Sequence, residues 1–145
     1  MNNVIKFYSV NGDYGEFSNF LTGYPIQLKR KLWPTSEHYF QAMKFESPLD
    51  QKEILRAKTP GEAARKGRDR KRKLRRNWES VKESVMFDAV MAKFTQHETL
   101  KVLLKSTGDA KLVEHTSNDS YWGDGGDGKG KNRLGFILMK VRDKI

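Results

Sequence analysis

Apolar and polar residues follow two rhythms along this chain, and each change of rhythm marks a change of element. Residues 4–10 interleave apolar and polar side chains with the period of a short strand, and Asn11-Gly12-Asp13 punctuates it. The alternation returns over residues 24–28, beyond the turn-forming Thr22-Gly23. From Pro34 the spacing lengthens to that of a helix. Pro34 suits the first helical turn, Thr35 or Ser36 stands close to the cap, and the apolar pattern continues to Phe45. Further helices are predicted over residues 50–57, 61–66, 78–96 and 99–105. In the third of these, Trp78, Val81, Val85, Ala89, Ala92 and Phe94 approximate one stripe. Residues 112–114 read as a strand, and a last helix runs from about 132 to 142. With no internal repeat, the mixture predicts an α+β fold, mainly helical with a small β-sheet.

Composition narrows the class. At 145 residues and 37% hydrophobic content the chain fits a single domain over residues 1–145, and no Pro- or Ser-rich linker divides it. There is no cysteine, which excludes disulfides and thiolate metal sites. His38, His97 and His115 lack metal-ligand spacing, so neither a metal nor a cofactor is expected. No apolar stretch approaches membrane-spanning length, and residues 1–6 lack the hydrophobic region of a signal peptide. The expectation is a soluble cytoplasmic protein with no membrane partner.

The charge is uneven. Of a formal +10, much falls in residues 65–76, where nine basic side chains meet one acidic one. Such a run attracts phosphate or nucleic acid through a salt-sensitive field, or it is simply a solvated surface segment; recruitment of a phosphorylated substrate suits both.

Three segments carry candidate chemistry. Tyr121-Trp122-Gly123-Asp124-Gly125-Gly126-Asp127-Gly128-Lys129-Gly130-Lys131-Asn132-Arg133-Leu134-Gly135 holds six glycines in fifteen positions. Ordering glycine is entropically costly, so the run points to close approach of backbone to a ligand. Its indole, carboxylates and cations suit a flat ring and an anionic sugar phosphate. A disordered linker is the competing reading, against which stand the indole and the apolar-rich flanks at 111–115 and 134–141. The loop also leads into a helix N-terminus, where free backbone N–H groups can bind an anion. On the helix from Pro34, Glu37, Gln41 and Lys44 fall within an arc of about 60°. An acid, an amide and an amine on one stripe of an aromatic segment are costly to bury unless they bind a ligand or one another, and a solvated intrahelical pair is the plain alternative. His38 points about 100° away from Glu37 and reads as packed or capping. In Tyr14-Gly15-Glu16-Phe17-Ser18-Asn19-Phe20 the aromatics suit a core, while Asn19 needs partners for both ends of its amide.

Together Phe17-Ser18-Asn19-Phe20, Trp33-Pro34-Thr35-Ser36-Glu37-His38-Tyr39-Phe40-Gln41-Ala42-Met43-Lys44-Phe45, Gly67-Arg68-Asp69-Arg70 and the glycine-rich run resemble the YbiA-like, or NADAR, family over residues 7–142. The resemblance implies an α+β fold and an N-glycosidase. Members of the YbiA branch cleave base from ribose in ribosylamino-pyrimidine phosphates, intermediates of riboflavin synthesis. Others remove ADP-ribose from guanine in DNA, an alternative the basic run keeps open. A module that binds ADP-ribose or a nucleotide without turnover is a further alternative, as is a nucleic-acid-binding protein. On the N-glycosidase reading the catalytic candidates are Glu37, Lys44 and Asp124. Glu37 would stabilise positive charge at the ribose ring or move a proton; Lys44 would attack C1 or hold phosphate; Asp124 would bond the base or the ribose hydroxyls. The substrate-binding candidates are Asn19, Gln41, Trp122, Asp127, Lys129, Lys131 and Asn132, with Trp122 stacking on the base and the lysines holding phosphate. Asp127 reads equally as a turn cap. The expected partner is a small phosphorylated riboside, with ADP-ribosylated DNA as the alternative.

Overall fold

Three helices begin on the same local chemistry. Thr35, Ser47 and Thr59 each stand extended at an N-cap, and each side-chain oxygen accepts the backbone N–H three residues on, from His38, Asp50 and Glu62. Pro48 and Pro60 then occupy the first helical turn, where a missing N–H costs nothing. The computed structural model describes residues 3–145; residues 1 and 2, part of the segment read above for a leader, lie outside the described residues.

The chain forms two compact units, residues 19–93 and residues 1–18 with 94–145. The first contains strands β2 (Ile26–Leu28) and β3 (Lys31–Trp33), and helices α1 (Ser36–Ala42), α2 (Pro48–Leu55) and α3 (Pro60–Gly67). Helix α4 (Trp78–Gln96) begins here and carries the chain beyond residue 93. Strands β2 and β3 are antiparallel and are joined by Lys29 and Arg30 at positive φ, 55° and 64°. The sequence reading missed β3, because a hairpin turn made of two cations lacks the Asn-Gly or Asp-Gly signal. Trp33 is fully buried, edge-on to Tyr39 at 5.4 Å, and Phe40 meets Trp78 at 5.2 Å.

In the second unit β1 (Val4–Phe7) pairs in parallel with β4 (Lys111–Glu114), Val4 opposite Lys111 and Phe7 opposite Glu114. Helices α5 (Glu98–Ser106) and α6 (Arg133–Lys144) complete it, with α6 packed on β4. Phe17, in a single turn of 3-10 helix at Gly15–Phe17, meets Phe7 and Phe94 edge-on, and Leu104, Leu112, Leu138 and Val141 are buried.

The fold is α+β, and the described residues form four short strands in two two-stranded sheets rather than one small sheet. The strand expected over 4–10 stops at Phe7, since Tyr8 and Val10 are exposed and the chain turns. The helix expected from Pro34 to Phe45 is only Ser36–Ala42: Pro34 precedes the cap, and Phe45 leaves the helix to bridge Leu74. Its apolar pattern continued because those residues are buried, not because they are helical.

Candidate active site

Helix α1 is two turns long and all seven of its residues are buried. The amphipathic pattern of a surface helix is therefore absent, and its polar side chains must find partners inside the protein. Glu37 is 8% exposed and Gln41 6%. Gln41 Nε2 donates to Glu37 Oε2 at 2.6 Å, the i,i+4 contact expected of the helix. Gln41 Oε1 is buried without any hydrogen-bond partner. Lys44 lies in the turn after α1 rather than on the helix, yet it remains electrostatically coupled to Glu37. Its ammonium donates to Gly67 O at 3.4 Å and stands 5.9 Å from the Phe40 ring centroid. Burial lowers the pKa of Lys44, the Glu37 carboxylate pulls it back up, and the Arg68 cation lowers it further; the net direction is downward.

Asn19 braces the start of this helix. Its Oδ1 accepts from Ser36 Oγ at 2.8 Å, its Nδ2 donates to Met86 Sδ at 3.3 Å, and its carbonyl accepts Glu37 N–H at 3.3 Å. Both ends of the amide that was expected to read substrate thus engage protein groups. His38 is packed as anticipated, with Nδ1 2.8 Å from Thr35 Oγ1 and Nε2 3.0 Å from Ala57 O, and burial lowers its pKa.

The glycine-rich loop has a different character. Asp124 is 4% exposed; its Oδ1 accepts from Thr116 N at 3.1 Å and Gly126 N at 2.9 Å, and Oδ2 meets His115 Nδ1 at 2.7 Å. Burial alone would raise its pKa, but the His115, Gly126 and Thr116 bonds outweigh it and hold the carboxyl below its ordinary range. Asn132, at φ 51°, accepts Glu114 N–H and donates to Leu112 O at 2.9 Å, closing the loop on β4. The N–H groups of Asn132, Arg133 and Leu134 bond to the carbonyls of Gly123, Tyr121 and Trp122. The free amides expected at this helix start are therefore already in use. Trp122 is half-buried, edge-on to Tyr121 at 4.9 Å, and Lys131 stands over the Tyr121 ring at 5.5 Å. Asp127 caps the turn by accepting Lys129 N–H, and both side chains are exposed.

Within residues 19–93, then, the fold gathers Glu37, Gln41, Lys44 and Asn19. In the other unit Trp122, Asp124, Asp127, Lys129, Lys131 and Asn132 share one loop. Reasoning from residue type passed over Asp119, which accepts Tyr121 and Trp122 N–H, and Gly67, which carried no signal of its own beyond the family motif. The basic run is ordered: Arg72 is bonded to Asp50 and Glu53 of α2 at 2.7 and 2.6 Å, and Arg75 N–H donates to Lys44 O at 2.8 Å. Arg65, Arg68, Arg70, Lys71, Lys73 and Arg76 are left exposed. Among the described residues no group of three His, Cys, Asp or Glu side chains is placed to hold a metal, and no helix is long and apolar enough to cross a membrane.

The arrangement on α1 offers a carboxylate to face developing positive charge and an amine whose burial favours the neutral, nucleophilic form. A family model described as the NADAR domain matches residues 6–145. The chain is 59% identical over 142 residues to N-glycosidase YbiA of Escherichia coli, covering 98% of this chain and 88% of that protein. It is 41% identical over 147 residues to riboflavin biosynthesis protein VVA0006 of Vibrio vulnificus, covering all of this chain and 39% of that longer protein. The NMR structure of the E. coli protein YbiA superposes with a TM-score of 0.91 over 99% of this chain and 86% of that one.

Proposed function

The chain belongs to the NADAR family, and from that membership we propose that it hydrolyses the base–ribose bond of a ribosylamino-pyrimidine phosphate of riboflavin biosynthesis. It is a hydrolase acting on N-glycosyl compounds, as relatives named N-glycosidase are. The riboflavin assignment is supported by the names of longer relatives in Vibrio vulnificus and Zea mays. The observation that carries the chemistry is the buried pair of Glu37 and Gln41 with Lys44 coupled to it.

As the C1′–N bond breaks, its electrons leave with the exocyclic amine and positive charge spreads over C1′ and the ring oxygen. Glu37, with Gln41 fixing one of its oxygens, opposes that charge and carries protons between water, ring oxygen and departing amine. Lys44, on giving up a proton, bonds through Nζ to C1′ as the base departs with a proton. The bond from C1′ to the ring oxygen then breaks, its electrons going to the oxygen, which takes a proton from Nζ as the Nζ=C1′ imine forms. Water then adds at C1′ and releases ribose phosphate and the free lysine. Taken by itself, the loop offers Trp122 for stacking on a base and Lys129 and Lys131 for phosphate, while Asp124, Asp127 and Asn132 keep the loop in shape.

The exposed cations at 65–76 favour a second reading, hydrolysis of ADP-ribose from guanine in DNA. One assay separates the two. The purified protein is expected to release free base from a ribosylamino-pyrimidine phosphate, and its Glu37→Gln variant to bind that substrate without turnover. Release only from ADP-ribosylated DNA, in a salt-sensitive manner, overturns the first reading; near-normal turnover by Glu37→Gln overturns the assignment of that residue.

A further inference from the structure

Gly67 ends α3 with ordinary backbone angles, so nothing in its own conformation requires glycine. Alanine would be the better helix former there by roughly 0.5–1 kcal/mol. What a side chain there would displace is Gln41. A β-carbon built on Gly67 would overlap Gln41 Oε1 and come within 2.7 Å of its Cδ. That Oε1 is the buried acceptor with no donor, and it occupies the space that a side chain at position 67 would fill. With its oxygen lacking a donor there, the amide makes its hydrogen bond through Nε2 to Glu37 Oε2 at 2.6 Å, an acceptor that the amide oxygen could not serve. The Gly67 carbonyl meanwhile accepts from Lys44 Nζ at 3.4 Å. It lies at the C-terminal end of α3, the end that favours a cation.

We infer that Gly67 is the positioning residue of this cluster: its missing side chain seats Gln41 against Glu37, and its carbonyl holds Lys44. Gly67 touches no reacting atom; it acts through the two side chains. The inference deepens the N-glycosidase reading and rests on it for its catalytic consequence, but its geometric content stands apart. An amide that cannot turn keeps Glu37 on one rotamer, and displacements of about 1 Å in such groups cost on the order of a hundredfold in rate.

The test is a double-mutant cycle of Gly67→Ala and Gln41→Ala, read by the Gln41 side-chain amide resonances in a ¹H–¹⁵N spectrum, by kcat and KM, and by thermal unfolding. In the wild type the Gln41 amide, identified by its loss in Gln41→Ala, should follow the titration of a carboxylate. In Gly67→Ala that response should vanish, with kcat down about a hundredfold and KM changed less than about twofold. In the Gln41→Ala background, where the overlapping Oε1 and Cδ are gone, adding Gly67→Ala should leave kcat unchanged and should not lower the unfolding midpoint. If Gly67→Ala alone fails to fold while the double variant folds, the coupling is demonstrated by stability instead. The inference is overturned if Gly67→Ala keeps the Gln41 response and wild-type kcat, or if the double variant loses stability as the single one does. An inactive wild type with an intact Gln41 response would sink the proposed substrate and leave the positioning role standing.

Discussion

The glycine-rich loop and helix α1 stand at opposite ends of one scale, the degree to which polar groups are satisfied by their own chain. The loop looks built to cradle a ligand, yet its amides bond to Asp119, Asp124, Asp127 and its own carbonyls. Its glycines serve the fold of the loop: a β-carbon on Gly130 would strike the Asp124 carbonyl and one on Gly135 the Leu112 carbonyl, while Gly125, Gly126 and Gly128 take positive φ. Helix α1 contains no glycine and leaves Gln41 Oε1 without a donor and Lys44 with lowered basicity. Glycine here reports where the chain crowds or turns, while the reactivity we propose lies where burial has left polar groups incompletely compensated.

That contrast is open to attack on both sides. Lys44→Ala should lower kcat by about a thousandfold, and borohydride added during wild-type turnover should leave a ribose-phosphate mass on Lys44. A highly active Lys44→Ala with no trappable adduct would remove the reactive side of the comparison. Asp124→Asn should lower unfolding stability by roughly 1–3 kcal/mol, read by urea titration. The wild-type carboxyl has its pKa held below the unfolded value of 3.8, so its stabilisation is present above that pH and is lost as pH falls toward the folded value. The variant should lack that acid-side loss. Equal stability of the two proteins at neutral pH would mean that the loop is not held by its own carboxylate. Trp122→Ala should raise KM about tenfold with kcat little changed, as loss of one stacking contact implies; an unchanged KM would free the indole of any substrate role. The smallest effect belongs to Arg68→Gln. Arg68 depresses the Lys44 pKa, so activity that rises with pH as Lys44 loses its proton should rise later in the variant. A profile that stays in place would show that Lys44 titration does not govern the rate.

Much of the fold was legible where local chemistry decides it. Helix α4 has the bounds that its apolar stripe marked, and α2 and α3, expected from 50 and 61, begin at Pro48 and Pro60. Strand β3 was not, because Lys29 and Arg30 adopt positive φ without the usual turn residues. On the site, the arc joining Glu37 and Gln41 followed from helical spacing alone. Lys44 reached them by another route, through a turn fixed by the carbonyls of Tyr39 and Gln41 and the bridge at Phe45. The seating of Gln41 on Gly67 could not be read at all, since nothing local to either residue announces a contact 26 positions away.

The parallel pairing of β1 with β4 bears on how the chain is made. Val4 leaves the ribosome about a hundred residues ahead of Lys111, and closing so long a loop costs little more entropy than closing one half as long. The delay is one of time rather than of energy. Residues 19–93 are contiguous and can condense as soon as they emerge, whereas β1 waits without its partner strand until residues 111–114 have followed it out. A ribosome stalled before residue 111 would therefore hold a nascent chain with the α1 cluster complete in sequence and the first strand still exposed to any other edge it meets.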